Sequence, residues 1–182
     1  HPLTRVNADK LIPMKALLNI FLLTAFLVAV CFAQQNLQVG QPAPAFQAQA
    51  LDGKSYSLSE LQGRVVVLTF WSTKCKICHS EIPKLNRVVD KYRGKDVIFL
   101  AITMESESRV EPYLKKNPFS YTILPNGFGV FLKYANISKD GTINMGFPSY
   151  FLINKRGAIE LRAEGWDKAE NLDNQISKLL MD

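Results

Sequence analysis

An apolar run, Val-Val-Val-Leu-Thr-Phe-Trp at residues 65–71, is followed within four residues by Cys-Lys-Ile-Cys at 75–78. The run is too short for a lone helix and rich in β-branched and aromatic side chains. It predicts a strand buried on both faces, hence central in a sheet. Ser72 and Thr73 break the run and are residue types that cap helices. Cys75 and Cys78 then stand in the first turn of a helix over residues 75–92. Side chains three apart on a helix are neighbours, and their Cα atoms lie within disulfide reach. Unpaired N–H groups and the positive end of the helix dipole favour thiolate over thiol there. These are the parts of a dithiol redox site.

Helical phase separates the two sulfurs. At about 100° per residue, Ile77, Cys78, Ile82, Leu85, Val88, Val89 and Tyr92 share one sector, with Cys75 on its border. Cys75 is therefore expected to be the accessible nucleophile and Cys78 the shielded resolving thiol. His79 falls on the polar side with Lys76 and Ser80, which predicts a solvated side chain. One charged residue, Glu81, falls inside the apolar sector, three beyond Cys78. A carboxylate there is costly unless it takes a proton, pairs with a neighbour such as Lys84, or reaches the helix edge.

A chain of 182 residues implies one domain, and its formal charge is +6. From Met14, a lysine is followed by a mostly apolar stretch to Cys31, then Phe32-Ala33 before polar Gln34-Gln35. That is the layout of a secretory signal. Two alternatives remain for the same stretch: an anchor retained through residues 15–33, or a lipoprotein acylated at Cys31. The expected organisation is upstream residues and signal at 1–33 and one domain at 34–182. Residues 1–33 carry Arg5, Lys10, Lys15 and Asp9; without them 19 basic residues face 15 acidic ones, a net +4. The bases are scattered, which gives no nucleic-acid footprint. Only Cys75 and Cys78 remain as cysteines, so an exported form holds one redox pair rather than a disulfide framework.

Asp52-Gly53 between short strand-like runs predicts a small N-terminal β-hairpin. Residues 57–61 make a helical turn ended by Gly63. A second buried strand is expected at 96–103. A helix over 106–116 turns Val110, Tyr113 and Leu114 inward, and Pro112 requires it to start late, near Ser108. A short strand at 121–124 precedes a helix at 127–134 with Phe128, Phe131 and Leu132 as its apolar face. Residues 136–145 are polar, with a turn at Asp140-Gly141. Strands at 149–153 and 158–163 flank Asn154-Lys-Arg-Gly157, a hairpin signature, and Asp167 is expected to cap a last helix. Strands alternating with helices, then an antiparallel hairpin and a helix, give an α/β mixed-sheet sandwich.

These residues resemble the thioredoxin-like thiol–disulfide oxidoreductases of the bacterial envelope, the TlpA/ResA-like group. The resemblance runs from about Val39 to the end. It rests on Gly40-Gln-Pro-Ala-Pro-Ala-Phe46, Leu68-Thr-Phe-Trp71, the Cys75–Cys78 quartet, Glu81-Ile-Pro83 and Phe147-Pro-Ser-Tyr-Phe-Leu-Ile153. It implies a thioredoxin-like fold, a central mixed sheet flanked by helices, with the N-terminal β-hairpin as an extension. It also implies that Pro148 is a cis-proline facing the disulfide, with Phe147 lining the partner site. Trp71, Lys74, Lys76 and Ile77 would face the substrate beside them. Glu81 matches the glutamate that such proteins carry just beyond the cysteine pair. Where they usually have an aromatic, this chain has Lys74, and where they have proline it has Ile77. The stretch between Tyr134 and Pro148 is several residues longer than usual, and Thr69 takes the place of the buried aspartate of cytoplasmic thioredoxins.

Cys75-Lys-Ile-Cys78-His79 also matches the CxxCH signature of covalent haem attachment. The polar-side phase of His79 and the buried strand ahead of the pair weigh against it. A peroxiredoxin-like peroxidase wants threonine and proline where this chain has Ser72 and Leu68. Zinc would need two further ligands, and no second Cys/His pair is present. The expectation is an exported thiol–disulfide oxidoreductase of the periplasm or cell envelope. It would use no cofactor beyond the Cys75–Cys78 disulfide and no metal. Its partners would be disulfide-bearing envelope proteins and a membrane or envelope electron donor.

Overall fold

The computed structural model describes residues 36–181, so the signal or anchor expected at 14–33 lies outside the described residues. Among the described residues no helix is long and apolar enough to cross a membrane. Nine strands and four α-helices follow one another among them. Strand β1 (Gln47–Gln49) pairs antiparallel with β2 (Ser55–Ser57) around Asp52-Gly53, the expected hairpin. A 3₁₀ turn, Leu58–Leu61, leads to β3 (Val65–Phe70). Helix α1 (Lys76–Lys91) follows, then β4 (Val97–Ile102), α2 (Glu107–Lys116), β5 (Thr122–Leu124) and α3 (Phe128–Tyr134). After them come β6 (Asn136–Ile137), β7 (Ile143–Asn144), β8 (Ser149–Ile153), β9 (Ile159–Glu164) and α4 (Ala169–Met181).

The main sheet has the order β5-β4-β3-β8-β9, with β3, β4 and β5 parallel and β8 and β9 antiparallel to their neighbours. It is the mixed sheet the sequence implies, and β3 is its centre. All six β3 residues are buried. The pleat divides them, because successive side chains point to opposite faces. Val65 and Val67 pack toward the layer of α1 and α4, with Leu85, Leu172 and Ile176. Val66, Leu68 and Phe70 pack toward α3 and the N-terminal hairpin, with Phe46, Phe131 and Tyr134. This two-sided burial is why the run shows no polar alternation.

Helix α1 is amphipathic along the expected face, burying Cys78, Glu81, Ile82, Leu85 and Val88. Its far end is tied to α4: Lys91 Nζ donates to both Asp173 carboxylate oxygens at 2.8 Å, and Tyr92 Oη donates to Asp173 Oδ1 at 2.7 Å. Burial works against the Asp173 charge, but these donors outweigh it and hold the carboxyl below its usual range. The Asn154–Gly157 turn is built by Asn154, whose Oδ1 accepts from the N–H groups of Arg156 and Ala158. Gly157 then takes φ +84, a left-handed conformation that L side chains rarely adopt.

Five local expectations change. Neither Ser72 nor Thr73 caps α1; Cys75 does, and its own sulfur accepts the Cys78 N–H. Ile77, placed by phase among the apolar residues, is 41% exposed, since among the described residues no side chain buries it. Helix α2 begins at Glu107, so Pro112 sits inside it and leaves the Ser108 carbonyl without its helical donor. Phe128 is 54% exposed, since α3 turns Val130, Phe131 and Tyr134 to the core instead. Asp167, expected as the cap of α4, stands two residues before its first residue at φ +61, with its carboxylate on Lys84. The 136–145 stretch forms its own small antiparallel hairpin, β6–β7, closed by Asp140 Oδ1 accepting the Thr142 N–H.

Truncating Leu68, fully buried at the centre of the sheet, is expected to cost about 3 kcal/mol in Leu68→Ala. Ile143→Ala, on the exposed β7 strand, should cost less than about 0.5 kcal/mol. Urea unfolding of the two variants beside the parent measures both, and equal losses would contradict the described packing.

Candidate active site

Strand β3 delivers the chain to the site at the carboxyl edge of the sheet. Trp71, one residue beyond it, keeps the phase of Val65 and Val67 and turns inward. It is 1% exposed and wedged between Tyr113 and Phe119, with ring centroids 5.6 and 5.5 Å away. It therefore does not face a substrate, as expected from the resemblance, but forms the floor beneath the helix tip. The next residues fold into a tight turn in which the Cys75 N–H donates to the Ser72 carbonyl. Cys75 follows as N-cap of α1.

The two sulfurs are joined, with Cα atoms 5.2 Å apart. Cys75 is half-buried, whereas Cys78 is 3% exposed, the order that helical phase predicts. Cys75 Sγ accepts the Cys78 N–H at 3.1 Å. That N–H belongs to the unsatisfied first turn of the helix, so it stabilises negative charge on the sulfur. Lys74, Lys76 and Ile77 lie exposed around Cys75. The Phe147–Pro148 peptide is cis. Pro148 is buried and lines, with Cys78, Trp71, Thr69 and Tyr150, a gap too narrow to hold a water molecule. Phe147 is half-buried and meets Phe131 edge-on at 6.1 Å.

Glu81 is 0% exposed, and among the described residues neither of its carboxylate oxygens has a hydrogen-bond partner. It does not reach the helix edge. Lys84 comes to it instead, with Nζ 3.4 Å from Glu81 Oε1. The same ammonium donates to Asp167 Oδ1 at 2.8 Å and lies 5.1 Å over the ring of Trp166. The Asp167 hydrogen bond is the main reason the Lys84 ammonium holds its proton more tightly than usual. Beneath, burial and then the neighbouring Glu81 charge push the Tyr150 hydroxyl well above the ordinary tyrosine range.

His79 is where the sequence expectation fails most clearly. It is not a solvated helix residue: Nε2 lies 2.8 Å from the Thr73 carbonyl, and the ring packs 4.8 Å from that of Tyr113. The partner comes from α2, which no phase argument on α1 reveals. Glu105 was not singled out by sequence at all. Its carboxylate accepts from Thr73 N–H and Thr73 Oγ1, each at 2.7 Å. Burial opposes the Glu105 charge, but the Thr73 and Thr103 hydrogen bonds prevail and hold its carboxyl below the usual range. Among the described residues no group of three or more His, Cys, Asp and Glu side chains is placed to hold a metal ion.

Residues 39–162 match the AhpC/TSA family. The thiol-disulfide oxidoreductase ResA of Bacillus cereus is 30% identical over 149 residues, covering 80% of this chain and 81% of that protein. The thioredoxin-like protein YneN of Bacillus subtilis is 27% identical over 125 residues, 69% of this chain and 71% of its own length. A crystal structure from Chlorobium tepidum, assigned as the thiol:disulfide interchange protein DsbE, has a TM-score of 0.67 at 27% identity. It is matched over 79% of this chain and 99% of that one.

Two outcomes are expected. In the reduced protein Cys75 should alkylate at least tenfold faster than Cys78 near neutrality, since Cys75 is half-buried at the helix terminus and Cys78 is withdrawn from water; mass mapping that finds equal rates would reverse the order. The Glu105 charge stabilises the fold above the ordinary carboxylate range, and this contribution is lost as pH falls through its depressed folded value. Glu105→Gln should therefore flatten the acid limb of stability below about pH 4.3. Parallel acid limbs for parent and variant would contradict it.

Proposed function

This chain belongs to the AhpC/TSA family and is a thiol–disulfide oxidoreductase related to ResA, and we propose that it is exported and reduces disulfides of envelope proteins. The observation that carries the dithiol mechanism is the unequal pair: a half-buried Cys75 sulfur at the helix N-cap over a Cys78 sulfur withdrawn from water. Export rests on the apolar stretch following Lys15, and the reducing direction on the resemblance to TlpA/ResA-like proteins.

In the reduced state the Cys75 thiolate attacks one sulfur of a substrate disulfide. A Cys75–substrate S–S bond forms, the substrate S–S bond breaks, and the freed sulfur leaves as a thiolate that takes a proton. Cys78 then loses its proton and attacks Cys75 Sγ. The Cys75–Cys78 bond forms, the second substrate sulfur leaves, and two electrons have passed to the substrate. An envelope or membrane donor returns them. No further cofactor is invoked.

Glu81 is the group that takes the Cys78 proton. It lies one helical turn beyond Cys78, is fully buried, and has open carboxylate oxygens. Thr69, at the place of the aspartate in cytoplasmic thioredoxins, has no acid to offer. Pro148 and Phe147 form the opposite wall of the site, while Lys74, Lys76 and Ile77 meet the partner around Cys75.

The haem alternative asks His79 to serve as a ligand and both sulfurs to face one opening. His79 instead holds Thr73 and Tyr113, and Cys78 is enclosed by Trp71, Ile82 and Phe119. The peroxidase alternative needs a threonine and a proline at Ser72 and Leu68, and Leu68 is a fully buried core residue.

Cys78→Ser is expected to stall the reaction as adducts linked through Cys75 that vanish on reduction. A failure to form adducts, or equal trapping by Cys75→Ser, would sink the proposed order of attack. Glu81→Gln should slow resolution of a glutathione mixed disulfide about 100-fold near neutrality. A resolution profile overlying the parent's across pH would leave Glu81 as a helix residue only.

A further inference from the structure

Every polar group of Thr73, two residues before the nucleophile, is held by a side chain from another part of the chain. Its N–H and its hydroxyl donate to the two oxygens of Glu105, each at 2.7 Å, and its carbonyl accepts from His79 Nε2 at 2.8 Å. A carbonyl only accepts, so Nε2 carries the hydrogen. Both holding residues are themselves fixed. The Glu105 carbonyl accepts the Asn126 N–H at 2.9 Å, and its carboxylate also accepts from Thr103 Oγ1 at 3.3 Å. The His79 ring packs on Tyr113. Thr73 and Lys74 are the interior of the Ser72–Cys75 turn, whose ends are joined by the Cys75 N–H and the Ser72 carbonyl at 3.1 Å. Pinning Thr73 from two sides fixes where the turn delivers Cys75.

We propose that Glu105 and His79 are positioning residues for Cys75, gripping Thr73 from opposite sides so that the sulfur is presented on the line of attack. The proposal rests on the dithiol reading of the site and adds two residues to it. Disulfide exchange needs the attacking sulfur aligned with the bond it breaks, and a misplacement of about 1 Å costs up to 100-fold in rate. Helix α1 alone does not supply that alignment. Cys75 is its N-cap, in extended conformation at φ −85 and ψ 100, so its orientation comes from the preceding turn. Glu105 reaches that turn from the β4–α2 connection and His79 from one helical turn above Cys75. Together they tie the nucleophile to the sheet and to its own helix. His79, which matches a haem signature by position, is on this account part of the mounting of the nucleophile.

Glu105 also brings a negative charge to Thr73, two residues before Cys75, and a variant series separates that charge from the grip. Glutamine keeps both contacts: its carbonyl oxygen accepts the Thr73 N–H, and its amide donates to Thr73 Oγ1. Alanine loses both. His79→Phe keeps a ring against Tyr113 and loses the donor to Thr73. The measurement is the second-order rate of each fully reduced variant with oxidised glutathione, followed across pH to its high-pH plateau, where Cys75 is thiolate throughout. Thermal unfolding of the same samples reports folding separately.

Glu105→Ala and His79→Phe are expected to lower the plateau at least tenfold, within the loss of up to about 100-fold that a misplaced nucleophile brings. Glu105→Gln should stay within about threefold of the parent, the loss that a more acidic thiol alone brings, with the midpoint of its profile moved to lower pH. Parent-like plateaus for both Glu105→Ala and His79→Phe would overturn the proposal. So would a Glu105→Gln plateau as low as that of Glu105→Ala, since charge and not grip would then be responsible. A parent protein inert to the disulfide at every pH would remove the dithiol reading itself, and the proposal with it.

Discussion

Val65, Val67 and Thr69 point into one helical layer and Val66, Leu68 and Phe70 into the other, and all six are withdrawn from water. A strand buried on both faces cannot slip by one residue without exchanging its two packed surfaces. Its end is therefore a fixed point. Trp71 continues the same pleat into the floor of the site, and the Ser72–Cys75 turn begins from there. The first turn of α1, and with it the exposed and the buried sulfur, inherits its place from this strand.

Two carboxylates near that end are treated in opposite ways. Glu105 is partly exposed, and both its oxygens accept short hydrogen bonds, so its charge is used for holding. Glu81 is fully enclosed, and among the described residues its oxygens lack any hydrogen bond, with the Lys84 ammonium at 3.4 Å. A buried carboxylate left this open costs stability that an alkyl side chain would not. Its neighbour one helical turn back is Cys78, the withdrawn thiol of the pair. Lys84 limits the cost by offering its charge, while Asp167 and Trp166 hold that lysine in place.

Much of the site was legible because its signals are local. The strand run, the cysteine spacing and the phase of α1 are periodic features, and they placed Cys75 outward and Cys78 inward. The anomaly of Glu81 in an apolar sector was equally visible, and burial bears it out. Where the phase of a single element misleads, the deciding partner comes from another element. His79 lies on the polar side of α1, yet α2 brings Tyr113 over it. Trp71 belongs to a motif associated with substrate contact, yet Tyr113 and Phe119 close over it. Ile77 has an apolar phase, yet it stays exposed while its turn neighbours Cys78 and His79 are covered.

Local pattern in the sequence determined the order of elements, the central strand, the redox pair and the inequality of its sulfurs, because strand and helix periods act over a few residues. Only the tertiary structure decided what surrounds them. Glu105 lies 32 residues beyond Thr73 and Asp167 lies 83 beyond Lys84. No periodicity links such positions. They meet because parallel β3 and β4 bring the ends of two strands side by side, and because the sheet turns back through β8 and β9 before α4 closes over α1.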